Sequence, residues 1–183
     1  FRSSAASDVY KRQEVIDFMP RFIKNKGEFY APPEIIRIVR PIKGSPEIKF
    51  KYDPRLEYAQ GETKHVVKKN MIRSRVDSPK HDSLFLYTNI ENIKIIQSNL
   101  HKLEETIFFN ISYNEKLKTP QLSDCLLNFD RTKVYWLNWC SKTPVFTHYN
   151  DQILRSAMTL KLMSYDKTGA VLAAVTTSLP ETI

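Results

Sequence analysis

The feature that most constrains the fold of this chain is a change of hydrophobic period near Leu117. Before that point, the segment EIKFKY (residues 47–52) places Ile48, Phe50 and Tyr52 on one side and charged residues on the other. This period of two indicates a half-buried strand in an antiparallel sheet. Beyond Leu117, apolar residues recur every three or four positions, which is typical of amphipathic helices. The sequence therefore predicts a β-rich first part followed by a helical second part.

Further short segments before Leu117 are rich in β-branched and aromatic residues and are bounded by turn formers. No predicted strand alternates with a helix, which disfavours a parallel α/β fold. Several short strands at about ten-residue spacing are typical of an antiparallel β-sandwich, which we predict for residues 14–116. The predicted strands are Glu14–Phe22, two strands within Glu34–Tyr58 around a turn at Lys43–Pro46, Ser83–Ile90, Asn92–Ser98 and Glu105–Tyr113.

Two helices are predicted in the second part of the chain. The first lies within Leu117–Thr143, with Asp130 or Thr132 as a candidate N-cap. The second covers Ile153–Tyr165, where a broad apolar face recurs with helical spacing, and Gly169 is its candidate C′ residue.

Residues 3–13 (SSAASDVYKRQ) have a back-translation that matches the transposase adapter attached in DNA sequencing libraries. We therefore expect residues 1–13 to be a sequencing artefact, and the native sequence to begin near Glu14 inside a longer reading frame.

Composition limits the class of protein. A hydrophobic content of 42% is ordinary for a globular domain, and the longest apolar run is too short to span a membrane. The net charge is +8, but the basic residues are scattered, and the densest patch, KHVVKKN (residues 64–70), is more typical of a solvated strand than of a nucleic-acid site. Two cysteines fit a reduced compartment, so we expect a cytoplasmic protein that binds neither nucleic acid nor membrane.

Local patterns alone identify no catalytic centre. The four histidines have no metal-ligand spacing, and no glycine-rich phosphate loop is present, so neither a metal nor a cofactor is predicted. Cys140 favours a core position over a nucleophile, and Ser178 lacks the flanking glycines of a nucleophile elbow. Sugar hydrolysis needs two carboxyl groups, but no spacing pairs any of the available ones. They are Asp17, Asp53, Glu57, Asp124, Asp151, Asp166 and Glu181.

The segment Tyr135–Glu181 (YWLNWCSKTPVFTHYNDQILRSAMTLKLMSYDKTGAVLAAVTTSLPE) resembles bacterial members of glycoside hydrolase family 15, the glucoamylase and trehalase-like proteins. Their linker helix carries a YW..W motif, and RSA.TLK and TTSLPE motifs follow it. Upstream, EVIDFMPR and residues 35–60 are similar to the N-terminal domain of the same proteins. Arg55-Leu56-Glu57-Tyr58 departs from that family's RFDY-like pattern at its second and third letters.

The resemblance implies a β-sandwich N-terminal domain, linker helices over residues 117–147, and the start of an (α/α)6 barrel over residues 148–183. Substrate contacts are implied in the loop at the active-site end, and the family's catalytic carboxylates would follow Ile183. The implied contacts are Thr176, Thr177, Ser178 and Glu181.

The implied activity is the inverting hydrolysis of α-glucosidic bonds in starch oligosaccharides or trehalose. Because the chain carries at most the first barrel helix, we expect it to be inactive alone. The alternative is a β-sandwich module that binds carbohydrate or protein without catalysis. A nucleic-acid-binding module is a third class, favoured only by the charge and aromatic content.

Overall fold

The computed structural model of the chain describes residues 10–78, 82–91, 95, 100–165 and 168–173. These residues form two compact units. The first contains the described residues up to Phe22 together with Tyr30–Thr132, and the second contains Ile23–Phe29 and the described residues from Lys133 onward. The predicted domain bounds at residues 14, 117 and 148 stay predictions.

The main element of the first unit is a six-stranded antiparallel sheet. Ten strands are described in chain order, and the sheet has the order β1-β4-β10-β8-β7-β6, so that distant segments of the sequence pair at its centre. The strands are β1 (Arg12–Phe18), β2 (Phe22–Ile23), β3 (Phe29–Tyr30), β4 (Glu34–Lys43), β5 (Glu47–Lys49), β6 (Lys64–Lys68), β7 (Met71–Arg75), β8 (Ser83–Thr88), β9 (Leu100–Lys102) and β10 (Ile107–Tyr113).

The central strands are apolar on both faces, because each face of the sheet is covered. On one face, Ile36, Ile38 and Phe108 pack with Cys125 from the helix that follows the sheet. On the other face, alternate residues of the same strands pack against a small sheet formed by β5 and β9, through Ile48 and the residues that follow it. The core of this unit therefore consists of two layers separated by one sheet.

Two helices follow the strands: α1 (Leu122–Cys140) and α2 (Asn150–Met163). The predicted cap of α1 is wrong, because Asp130 and Thr132 lie inside the helix. At its start the Asp124 carboxylate accepts a hydrogen bond from the Gln121 N–H at 2.9 Å. Gly169 is not the C′ residue of α2; its N–H donates to the Tyr165 carbonyl at 2.8 Å in a turn beyond the helix.

The predicted β-rich part followed by helices is confirmed as an antiparallel sheet and two helices. The strands predicted in Glu14–Phe22, Ser83–Ile90 and Glu105–Tyr113 are confirmed with small changes of bounds. Of the predicted strand Asn92–Ser98 only Ile95 is described, and its backbone is helical, so the prediction is wrong at that position. Neither described helix combines the length and the apolarity that crossing a membrane requires.

Candidate functional site

The four residues predicted to contact substrate, Thr176, Thr177, Ser178 and Glu181, lie outside the described residues. The same holds for Asp166 among the carboxylates. The expected active-site loop therefore stays a prediction, and the described cavities lie elsewhere.

Most of the described carboxylates considered in the sequence have a structural partner. Asp17 forms a bidentate ion pair with Arg37 at 2.6 and 2.8 Å. Asp124 binds the start of α1, and Asp151 lies in the first turn of α2, where an acidic group stabilises the helix dipole. Glu57 accepts a hydrogen bond from the Ser78 hydroxyl.

The most distinctive cavity lies in the first unit, between the segment that follows β5 and strand β6. We call it the polar cavity. It has a volume of about 300 Å³, which is at the lower end of the range for ligand sites. Donors and acceptors alternate around it, and one wall is formed by a tight turn of the chain. It is lined by Asp53, Pro54, Arg55, Ala59, Gly61, Glu62, Thr63 and His65.

The charges at the polar cavity nearly balance. Asp53 forms ion pairs with Lys51 at 3.3 Å and with Arg55 at 3.6 Å. The hydrogen bond from Lys51 is the main reason that the pKa of Asp53 lies below its usual value, and the Lys51 and Arg55 charges add to it. Asp53 is therefore an ionised acceptor at neutral pH, and Glu62 supplies the second carboxyl group.

Next to the polar cavity the chain makes a left-handed turn through Glu57, Tyr58 and Ala59, with φ values of 51°, 57° and 60°, and Ala59 lines the cavity. No glycine is among these residues, and each non-glycine residue in this region costs roughly 1–2 kcal/mol. Tyr58, at the middle of the turn, is 84% exposed. We call this segment the strained turn.

Three contacts hold the strained turn in place. Leu56 is buried before it, and the Glu57 carboxylate accepts the Ser78 hydroxyl. After it, Gly61 approaches Val76 so closely that a Cβ atom would lie 2.7 Å from the valine methyl. A side chain at this position would force Val76 to shift, so the turn is held at both ends.

A hydrogen-bonded chain positions His65 on the opposite wall. The buried Ser74 hydroxyl lies 2.9 Å from His65 Nδ1 and 3.0 Å from the Tyr52 hydroxyl. The Tyr52 and His65 rings also lie 5.7 Å apart. Because Ser74 is fully buried, it orients the imidazole and is not available as a nucleophile.

A second cavity of about 370 Å³ lies over the sheet face that β5 partly covers. Its floor is apolar, with Leu86, Phe109 and Ile111, and its rim carries Arg37 and Lys49. Arg37 is neutralised by Asp17, so the rim offers few polar groups to a ligand.

A buried polar cluster lies on the other face of the sheet. Glu34 accepts a hydrogen bond of 2.9 Å from Asn110, and Ser112 is fully buried on the same strand as Asn110. Burial raises the pKa of Glu34 and the Glu115 charge raises it further, while hydrogen bonds from Asn110 and Tyr30 act in the opposite direction. The cluster is enclosed in the core, which disfavours a role in ligand binding.

The two cysteines differ in burial. Cys125 is the core cysteine, and burial raises the pKa of its thiol to about 12, with the Asp124 and Glu34 charges adding to the shift. Cys140, for which a core position was predicted, is only half-buried. Within the described part of the chain, no group of three histidine, cysteine, aspartate or glutamate side chains is placed to hold a metal ion.

Sequence patterns did not identify the polar cavity. Three consecutive left-handed residues give no signal when none of them is glycine or asparagine. The basic segment 64–70 was interpreted as a solvated strand, and β6 confirms this, but its hairpin partner β7, which supplies Ser74, was not predicted. Asn70 in the two-residue turn between Lys68 and Met71 is the signal that favours this hairpin.

Comparison with known proteins connects the chain to trehalases. It is 28% identical to a trehalase of Thermoplasma volcanium over 181 residues, which cover 91% of this chain and 27% of that protein. A trehalase of Thermoplasma acidophilum is 27% identical over 91% of this chain and 29% of the relative. A trehalase of Mycobacterium tuberculosis is 27% identical over 81% of this chain and 23% of the relative.

The chain is thus similar to trehalases over most of its own length, which supports a relationship to glycoside hydrolases of this kind. It spans about a quarter of the length of these curated relatives. No family model matches the chain. No solved structure matches it either.

Proposed function

We propose that this chain is part of a glycoside hydrolase that acts on α-glucosides, with trehalose as the preferred substrate and starch oligosaccharides as the second choice. The observation that carries the proposal is the similarity to trehalases over 91% of the chain. The resemblance of Tyr135–Glu181 to family 15 supports a placement within that family.

The order of elements agrees with the architecture that the resemblance implies. The first unit would belong to an N-terminal β-sandwich domain, with the β5–β9 sheet as part of its second layer. Helix α1 would then be the linker, and α2 would be the first helix of an (α/α)6 barrel. Thr176, Thr177, Ser178 and Glu181 would lie in the loop at the active-site end.

The proposed reaction proceeds with inversion. One carboxylic acid protonates the glycosidic oxygen, and a second carboxylate, about 6.5–9.5 Å away, activates a water molecule on the opposite face of the sugar. By the family resemblance, both groups would lie beyond Ile183 in the complete protein. The chain alone is therefore proposed to be inactive.

The test is to express the complete reading frame and to measure glucose release from trehalose, maltose and starch. We expect trehalose to be hydrolysed fastest. Early NMR spectra should show equal amounts of α- and β-glucose, because inversion acts at one anomeric carbon and the other glucose leaves with its α configuration, whereas retention would give α-glucose alone. The 183-residue chain assayed beside it should release no glucose. A complete protein without activity on any α-glucoside would overturn the proposal, and turnover by the short chain would overturn its assigned inactivity.

A further inference from the structure

The polar cavity has a composition that suits a neutral, hydroxyl-rich ligand. A sugar hydroxyl both donates and accepts hydrogen bonds, so it needs acceptors and donors within a small space. Asp53 and Glu62 supply the acceptors, while Arg55, Thr63 and His65 supply donors or groups of either kind. An anionic ligand would find the Lys51 and Arg55 charges already paired with Asp53 and a second carboxyl group at Glu62, which disfavours a phosphate or carboxylate.

The strained turn supplies a second, independent observation. Three left-handed residues in succession are unfavourable for non-glycine side chains, and such strain persists where the surrounding structure enforces it and where function uses it. Here Leu56, Ser78 and Gly61 enforce it. A flexible loop would avoid this cost, so the strained turn is consistent with a functional role.

The strained turn presents an aromatic ring to solvent. Tyr58 is 84% exposed, and it directly precedes Ala59, which lines the polar cavity. The apolar face of a pyranose ring gains free energy by packing on an aromatic ring, since both surfaces leave water. Because the backbone of the turn is fixed, binding there loses less conformational entropy than binding to a flexible loop would.

From these observations we propose that the polar cavity and Tyr58 form a saccharide-binding site for a neutral glucoside. Tyr58 packs against the sugar ring, Asp53 and Glu62 accept hydrogen bonds from its hydroxyls, and Arg55 donates to them. Ser74 and Tyr52 position His65 at the opposite wall through the hydrogen bonds described above. The choice of a glucoside as the ligand rests on the proposed function, whereas the site itself rests on the geometry.

The test titrates the purified chain with trehalose and with maltose by isothermal titration calorimetry, and uses sorbitol as a hydroxyl-rich control without a pyranose ring. We expect saturable binding of at least one disaccharide in the millimolar range and none of sorbitol. Tyr58→Ala and Glu62→Ala should each weaken binding about tenfold, whereas Tyr58→Phe should stay within about twofold of the unaltered chain.

The matched control is Tyr10→Ala, because Tyr10 is 75% exposed and precedes β1, at the edge of the sheet opposite to β6. It should leave binding unchanged, and circular dichroism should show that every variant keeps its sheet. Absence of saturable disaccharide binding, or unweakened binding by Tyr58→Ala, would overturn the site. Tighter binding of glucose 6-phosphate than of maltose would overturn its assignment to a neutral ligand.

The two proposals fail separately in these experiments. Disaccharide binding that depends on Tyr58, in a complete protein that hydrolyses no α-glucoside, supports the site and overturns the proposed function. Hydrolysis by the complete protein, with no binding to the 183-residue chain, overturns the site and supports the proposed function.

Discussion

The two units of this chain use apolar residues in different ways. Every buried hydrophobic side chain of the described residues lies in the first unit, and most of them pack at the two faces of the six-stranded sheet. In the second unit, α2 contains no buried residue, and Leu160 and Leu162 are more than half exposed. A helix of this length is marginal without packing, so burial stabilises the first unit far more than the second.

The largest test of this difference compares one core residue with one helix residue. Ile38 is fully buried at the centre of the sheet, so Ile38→Ala should lower the free energy of unfolding by about 2–5 kcal/mol. Leu160 is 59% exposed, and Leu160→Ala should change the free energy of unfolding by less than about 0.5 kcal/mol. Urea unfolding followed by far-ultraviolet circular dichroism measures both values. Equal losses would contradict the comparison.

The reaction rates of the two cysteine thiols provide a second test of the difference in burial between the two units. The Cys125 thiol is buried and its pKa is raised to about 12, so it should react with a disulfide reagent only when the core opens. Cys140 is half-buried in the second unit. In native buffer the Cys140→Ser variant, which keeps Cys125, should react at least about tenfold more slowly than Cys125→Ser.

Full denaturation is the control, because both variants should then react at similar rates. Equal rates in native buffer would mean that the core around Cys125 opens easily, which the packing of the first unit does not predict.

A third test concerns Glu34, a carboxyl group that is buried in the first unit. Burial raises the pKa of Glu34, so the folded state holds its proton to a higher pH than the unfolded state, whose reference value is 4.5. Stability is therefore lost as the pH rises from 4.5 through the folded-state pKa. We expect Glu34→Gln to be more stable than the unaltered chain at pH 8, and this advantage to shrink at pH 4.

Urea unfolding at both pH values measures the effect, and Glu47→Gln at an exposed position is the matched control. At each pH the free energy of unfolding of Glu47→Gln should stay within about 0.5 kcal/mol of the value for the unaltered chain. If Glu34→Gln is no more stable than the unaltered chain at pH 8, burial of the Glu34 carboxylate costs no stability at that pH, and the prediction is wrong.

The smallest expected effect exchanges alanine for glycine in each unit. Ala59 has a φ of 60° in the strained turn, so Ala59→Gly should raise the free energy of unfolding by about 0.5 kcal/mol. Ala157 lies inside α2, where glycine should lower helix stability by about 1 kcal/mol. Thermal unfolding distinguishes the two signs, and a loss in both variants would show that the turn is not strained.

The sequence predicted the parts of the fold that a single side-chain period encodes. Ile48, Phe50 and Tyr52 were expected on one buried face, and all three pack on the core. The partner of β5 could not be predicted, because pairing with β9 depends on contacts between distant segments. Likewise, nothing in Glu57-Tyr58-Ala59 encodes a left-handed turn; Gly61 and Ser78, which enforce it, act through tertiary contacts.

Strand β6 has a consequence for how this protein behaves at high concentration. It is the outermost strand at one side of the described sheet, all five of its residues are exposed, and Val66 and Val67 lie among lysines. An uncharged strand in this place would offer its backbone as a template for another chain, and lysines oppose that assembly by mutual repulsion. Replacement of the β6 lysines by uncharged residues would weaken this protection and favour pairing of β6 with another chain.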